Sequence, residues 1–382
     1  MNRPALYFWF NSPPKVERGA YNYVSQEWGA PVVYVTAGNL RAERISAGWD
    51  DGNFGAAKVV RYEDEAQGSE LVRSIAESSK ESIHVVAGFS GSVGRRLGEL
   101  CRVCESKQLV VVSERPGVYG SRFKQLERRI GSPFKQRWLR RRFRSHIGGL
   151  LPLGERGVDY FASIGWPREV MQEFMYCPDC DERCSSAQSS GGVSGVVRFL
   201  YVGRLSASTK GVDTLLKAFS CMPSEGWTLS IAGGYGEMTN DVAAWAKNRA
   251  NVALLGTVRA SDVAELMRRH DVCVVPSRFD GWNVVINEAI CAGIGVLASD
   301  ETVSDELVRE SEAGLVVRAG DAVALRDALL RCVESTEMVS RWRESAVRYS
   351  ERVMPETVGT YLMTILDRQW HEEPGSVRAP WR

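Results

Sequence analysis

Histidine is scarce in this chain, with four residues in 382: His84, His146, His270 and His371. No Ser-His-Asp set, metal-ligand cluster or obvious single site with paired acids emerges, so nothing in the sequence recommends hydrolysis. The nine cysteines are scattered and odd in number, which fits a reducing cytoplasm better than a disulfide scaffold. An excess of one charge is missing too: 48 basic residues face 47 acidic ones, and no general attraction to a polyanion follows. Apolar runs fall short of the ~18 residues that a membrane-spanning helix needs. The N-terminal MNRPALYFWFNSPP carries no signal-peptide cleavage pattern, and a cytoplasmic location is expected. Two nucleotide signatures are also absent. The phosphate loop G-x4-G-K-S/T does not occur, and Gly233, Gly234 and Gly236 lack the last glycine of G-x-G-x-x-G, with Met238 or Thr239 in its place.

The length exceeds what one hydrophobic core usually organises, which predicts two domains. In the first half, Leu6 to Phe10, Val32 to Thr36, Ala57 to Arg61, Ile83 to Ala87 and Leu109 to Ser113 are short apolar or β-branched runs. Polar, helix-compatible stretches separate them, which reads as a parallel sheet with crossover helices. Ligands of such sheets bind beyond the carboxyl ends of the strands, where the loops carry Asn11 and Ser12, Gly88 to Ser92, and Ser113 to Pro116. His84 opens a strand and reads as a core or rim histidine. Another strand is expected over Ile147 to Leu153.

Residues 122–144 hold ten Lys or Arg against the single acid Glu127, with Phe123, Leu126, Ile130, Phe134, Trp138 and Phe143 interleaved. This basic amphipathic pattern suits an anionic membrane surface, each basic side chain contributing about 1 kcal/mol. The alternative is a solvated helix pair packed on its own domain. No helix-turn-helix, zinc-finger or stacking motif accompanies the stretch, so nucleic acid is not an expected partner. The segment CPDCDERCSSAQSSGGVSG, from Cys177 to Gly195, is rich in Ser and Gly and reads as a flexible linker over 177–196. Cys177, Cys180 and Cys184 fall one ligand short of a structural zinc site. The D-x-D of Asp179 and Asp181 lies away from any strand end, and no metal is expected.

The second half says more about chemistry. Val197 to Val202 is a buried-strand run leading into GRLSASTKGVDTLLKAF, so Gly203 and Arg204, then Lys210 and Gly211, stand between a strand end and a helix mouth. Two cations beside a helix N-terminus at a sheet crevice make an anion site. Leu229 to Ala232 leads into Gly233 and Gly234, and Val252 to Leu255 into Gly256. Then DVCVVPSRFDGWNVVINEAICAGIGVLASD, from Asp271 to Asp300, reads as a strand (Val272 to Val275), a loop (Pro276 to Asn283), a helix (Val284 to Cys291) closed by Gly293, and a second strand from Gly295. Asp280 precedes that helix and Glu288 lies in its second turn, so both can face one ligand at the helix start. A ligand with hydroxyls near a diphosphate suits them. A last strand in EAGLVV, helices over Ala322 to Glu334 and Met338 to Tyr349, and a helical stretch from about Glu351 to Gln369 follow. The expected organisation is a first domain over 1–176, a second over 197–350, a helix over 351–370, and a tail over 371–382 that reads as disordered.

The block from Asp271 to Asp300 closely resembles the E-x7-E segment of retaining glycosyltransferases of family 4. The stretch from Gly203 to Gly211 resembles the diphosphate motif of the same family. The resemblance implies an α/β chain of GT-B fold: two Rossmann-like, doubly wound parallel-sheet domains facing a central cleft, with a C-terminal helix crossing back to the first. It also implies a metal-independent, cofactor-free hexosyltransferase. Such an enzyme moves a sugar, with retention, from a nucleotide-diphosphate sugar to a glycan or lipid-linked acceptor in surface polysaccharide or glycoconjugate assembly. Carried over residue by residue, Arg204 and Lys210 hold the diphosphate, Asp280 hydrogen-bonds the donor sugar and Glu288 holds the ribose. Gly203, Gly233, Gly234, Val258, Gly281, Trp282, Asn283, Val284 and Val285 fall in the donor pocket, the backbone at Val258 meeting the base. Asp280 is one methylene shorter than the family's Glu. Asn283 stands where Gly is common, and Asn tolerates positive φ. The family's glycine-rich first loop is reduced to Gly19, and its sugar-side histidine has no counterpart on a loop. The alternatives are a nucleotide-sugar epimerase or hydrolase of the same scaffold, and a non-catalytic sugar or nucleotide-binding protein.

Overall fold

Short β-branched and aromatic runs form the strands of two parallel sheets. The computed structural model describes residues 3–13, 18–38, 45, 54–78, 81–117, 134–135, 137–179, 195–373 and 375–382. Ala5–Phe10 (β1), Val32–Ala37 (β2), Lys58–Tyr62 (β3), Ser82–Ala87 (β4), Leu109–Ser113 (β5) and Gly149–Pro152 (β6) build the first sheet, in the order β3-β2-β1-β4-β5-β6. Val197–Val202 (β7), Trp227–Ala232 (β8), Val252–Gly256 (β9), Val272–Val275 (β10), Gly295–Ser299 (β11) and Gly314–Val317 (β12) build the second, in the order β12-β11-β10-β7-β8-β9. All these pairings are parallel. Every residue of β5, β10 and β11 is buried, because helices cover both faces, and such strands read as continuous apolar runs.

The two sheets share one topology. Each winds outward in both directions from its first strand, so the order reverses between β1 and β4 and again between β7 and β10. A crevice opens at such a switch point, beyond the carboxyl ends of the flanking strands. The expected strand bounds agree with these to within two residues. β12 starts late because Glu312, at φ 53°, ends the helix Asp305–Ser311 in the left-handed conformation.

The helix Pro355–Trp370 opens with proline at its first turn, where no backbone donor is lost. It buries Val358, Leu362, Ile365 and Leu366 and packs on the helix Arg18–Glu27 of the first domain. The return crossing is therefore present.

Two expectations need correction. The tail over 371–382 is docked rather than disordered. Trp381 is 1% exposed, its indole donates to Glu173 Oε1 at 2.9 Å, and its ring meets Tyr361 edge-on at 5.2 Å. Arg382 pairs with Glu173 and Glu306, each at 2.7 Å. An aromatic anchor and a three-way ion pair outweigh the polar, Pro- and Gly-containing composition of the tail. Cys177 is the second correction. It is buried, its thiol faces Val353 O, and its carbonyl accepts from Gly19 N at 3.0 Å, so it belongs to the packed first domain and not to a linker. Residues 180–194, with Cys180 and Cys184, lie outside the described residues, as do 122–133 and 136 of the basic stretch.

Charge joins the domains as well. Glu306, of the second domain, accepts from the backbone N–H of Glu155 at 2.9 Å and of Arg156 at 3.2 Å, so it serves the orphan donors that open the helix Gly154–Ser163 of the first. Arg156 answers by donating to Glu306 and to Val303 O. Removing the Trp381 ring is expected to cost about 3–5 kcal/mol, the usual range for a fully buried aromatic. Thermal unfolding of Trp381→Ala checks this: an unchanged Tm means that the tail is not docked in solution.

Candidate active site

The loops that leave β7 and β10 meet at the switch point of the second sheet. After β7 the chain passes Gly203 and Arg204 and reaches Lys210 and Gly211 before the helix Val212–Ser220. Gly211 has φ 65°, and a Cβ there would lie 2.0 Å from Pro276 O of the loop after β10. Only glycine permits that approach. The two loops are also stitched by Arg278 N donating to Thr209 O at 2.7 Å. As a result Lys210 Nζ stands 2.7 Å from Asp280 Oδ1.

The segment between Arg204 and Lys210 is shaped from the side. The Glu237 carboxylate accepts from Ser206 Oγ at 2.8 Å and from Ala207 N at 3.0 Å. These bonds hold its carboxyl below the usual range, the Ser206 hydroxyl first. The Arg204 carbonyl takes the Tyr201 hydroxyl at 2.6 Å. On the other strand, Asn283 caps the helix Val284–Cys291: its side-chain oxygen accepts from Val285 N at 3.1 Å. Its φ is −96°, so capping, and not tolerance of positive φ, explains asparagine here. The amide of Asn283 donates to Asp280 Oδ2 at 2.8 Å. Glu288 follows one turn into the same helix.

A cavity of about 650 Å³ lies between these walls, within the size range of small-molecule sites. Arg204, Lys210 and Glu288 all line it. So do Gly203, Gly233, Gly234, Val258, Trp282, Asn283, Val284 and Val285. Asp280 and Gly281 stand beside this wall rather than on it. The first domain contributes Arg18, Pro178 and Asp179, and Arg18 pairs with Asp179. Gly19 sits inside a helix against Pro178, not on a loop at the cavity.

None of the four histidines lines the cavity. His84 is buried between Trp9 Nε1 at 3.2 Å and Ser82 Oγ at 3.0 Å, and burial lowers it to about 3, so it is a neutral core group. His270 is buried between Leu266 O and Ser230 Oγ. Among the described residues no group of three His, Cys, Asp or Glu side chains could hold a metal ion.

One acid escapes motif reading. Glu114, the residue after β5, reaches across from the first domain to the Asp280–Trp282 loop. Its position in the Ser113 to Pro116 loop, at a strand's carboxyl end, was the available signal.

Comparison with known proteins bears on the second domain and on the fold. The sequence model described as glycosyl transferases group 1 matches residues 197–335. The second domain is thus similar to the group 1 glycosyl transferases. A phosphatidyl-myo-inositol mannosyltransferase of Mycobacterium leprae is 25% identical over 173 residues, covering 44% of this chain and 46% of that protein. The lipopolysaccharide core biosynthesis mannosyltransferase LpcC of Rhizobium leguminosarum is 29% identical over 150 residues, covering 37% and 42%. The chain thus spans less than half the length of these curated relatives. Anabaena HepE in complex with UDP superposes with a TM-score of 0.71 at 15% identity, covering 95% of this chain and 99% of that one. Sucrose-phosphate synthase of Thermosynechococcus elongatus gives 0.72 at 15%, covering 97% and 100%. Both domains together therefore adopt the GT-B fold.

Gly211→Ala is expected to destabilise the second domain by about 1–3 kcal/mol, since it adds left-handed strain to a backbone clash. Denaturant unfolding measures it, and a stability equal to wild type would contradict the loop geometry described here.

Proposed function

We propose that the protein transfers a hexosyl group from a nucleoside-diphosphate sugar to a glycan or lipid-linked acceptor. The observation that carries this reading is that Arg204, Lys210 and Glu288, from two separate loop–helix units, line one cavity at a switch point. In this reading Arg204 and Lys210 neutralise the diphosphate as the glycosidic bond breaks. Glu288 accepts hydroxyls of the ribose, and the loop from Gly256 to Ser261 takes the base. Asp280 keeps the Lys210 ammonium aimed into the cavity.

Two fixed cations supply charge stabilisation where the leaving group develops it, so the reaction proceeds without a metal. The departing diphosphate accepts the proton of the attacking hydroxyl on the face it leaves, and the sugar retains its configuration. Atoms balance: one C–O bond breaks, one forms, and the proton ends on the nucleoside diphosphate. No protein base is required.

The named relatives act on phosphatidyl-myo-inositol and in lipopolysaccharide core biosynthesis, which supports an acceptor carried on a lipid. Surface chemistry supports it too. Residues 137–143 are helical, with Leu139 and Phe143 buried, while Phe134 and Trp138 are 67% and 55% exposed. Lys135, Arg137 and Arg141 are exposed on the same stretch. An aromatic side chain flanked by cations suits the headgroup layer of an anionic membrane.

Three measurements test this reading. A panel of UDP-, GDP-, ADP- and dTDP-sugars is expected to contain at least one that raises Tm, since a ligand that binds only the folded state stabilises it. With that donor, Lys210→Ala and Glu288→Gln are each expected to lower turnover by about 100-fold to 1000-fold with Tm retained, and near-normal rates in both would refute the assignment. Anionic vesicles at low salt are expected to co-sediment the protein and neutral ones not to. Equal recovery from both argues against a membrane role for 122–144.

A further inference from the structure

The sugar-facing acid has a different address from the one that the motif suggests. Both Asp280 carboxylate oxygens are engaged, Oδ1 by Lys210 Nζ at 2.7 Å and Oδ2 by the Asn283 amide at 2.8 Å. Its backbone N–H is tied to Glu301 O at 3.0 Å. The shortened side chain is drawn back onto the lysine.

Opposite it stands Glu114. A Cβ on Gly281 would lie 1.9 Å from Glu114 Oε2 and 2.5 Å from its Cδ, so the carboxylate occupies room that only a glycine leaves. Its neighbours are the groups assigned above to the donor: Gly281 in contact, with Asp280 and Lys210 close enough to act on its charge. The Tyr176 hydroxyl bonds to the carboxylate and orients it. The next residue fixes the loop, since Arg115 pairs with Glu301 at 3.0 Å and lies over Phe279 at 5.6 Å. Glu114 is nevertheless exposed as a residue, so a ligand can reach it. Enclosure between the two domains pushes its carboxyl up, more than the Tyr176 bond and Lys210 pull it down.

We propose that Glu114 binds hydroxyls of the transferred sugar, and that Asp280 is a positioning residue for Lys210. This rests on the glycosyl-transfer reading. A carboxylate accepts from two vicinal hydroxyls at once, and bonds with a charged partner are the stronger kind. Gly281 is then the point at which the first domain's acid passes over the donor loop. Because Glu114 is not among the residues that line the cavity shared by Arg204, Lys210 and Glu288, a nucleoside diphosphate without its sugar does not touch it. Sugar selection therefore depends on both domains, whereas Arg204 and Lys210, the cations assigned to the diphosphate, both come from the second.

That division can be measured. Full-length wild type, Glu114→Gln and Glu114→Ala are titrated by calorimetry with UDP-, GDP-, ADP- and dTDP-sugars and with the matching diphosphates. For the pair that wild type binds, the variants are expected to hold the diphosphate within about twofold and to bind the nucleotide sugar about tenfold or more weakly, the size of one lost bond to a charged group. Asp280→Asn is expected to weaken diphosphate and nucleotide sugar alike, because it acts through Lys210. Unchanged nucleotide-sugar affinity in both Glu114 variants overturns the proposal. An equal loss for diphosphate and nucleotide sugar overturns it too, since that is the mark of a general structural role. Wild type that binds no member of the panel removes the glycosyl-transfer reading itself, whereas the other failures leave it standing.

Discussion

Lys210 and Asp280 form an ion pair across the switch point of the second sheet, and the site is arranged around it. One partner leaves β7, the other β10, and their side chains retain only 21% and 15% exposure. Taking two charges that far out of water costs several kcal/mol per ion, which their attraction roughly offsets. The pair is therefore a weak source of stability. Its effect is geometric: it holds an ammonium at the cavity wall before any ligand arrives. A diphosphate carries more negative charge than one carboxylate, so it competes well for the same cation.

That pair explains the local sequence. Gly211 is required because the backbone must pass within contact of Pro276 O. Asn283 is required twice over, as helix cap and as donor to Asp280. Aspartate at position 280 fits between Lys210 Nζ at 2.7 Å and the Asn283 amide at 2.8 Å. The shorter acid, which departs from the family habit, is thus consistent with an altered division of labour in this chain.

The sequence made legible whatever depended on one segment. β7, β10 and the helix Val284–Cys291 emerge at their true bounds, because each is an apolar run punctuated by Gly, Pro or a capping residue. That Arg204, Lys210 and Glu288 come to one cavity was legible from the loop–helix units that follow β7 and β10. What escaped depends on contacts between distant segments. Nothing in HEEPGSVRAPWR announces that Trp381 finds Glu173 and Tyr361. Nothing in CPDC announces that Cys177 packs on Val353. Glu114 carries no motif, and its place over Gly281 follows from how the two domains meet.

The contacts between the domains are graded, and the grading bears on how a ligand enters. Arg382 and Arg156 meet Glu173, Glu306 and Asp305, which are 16%, 11% and 3% exposed at their side chains. Breaking such enclosed pairs strands a desolvated charge and costs several kcal/mol. Arg115 and Glu301 are 23% and 47% exposed, in the regime where a pair is worth about 1 kcal/mol or less. The loop that carries Glu114 is thus tethered by the weaker kind of contact, while the tail and the helix Gly154–Ser163 are held by the stronger kind. Displacing that loop from Gly281 gives up this weak pair, the contact with Phe279 and the Tyr176 bond, and in the proposed reading a sugar that gives Glu114 two hydroxyls offsets part of that loss. In that reading, binding at the donor side is coupled to the position of a first-domain loop without any demand that the domains separate.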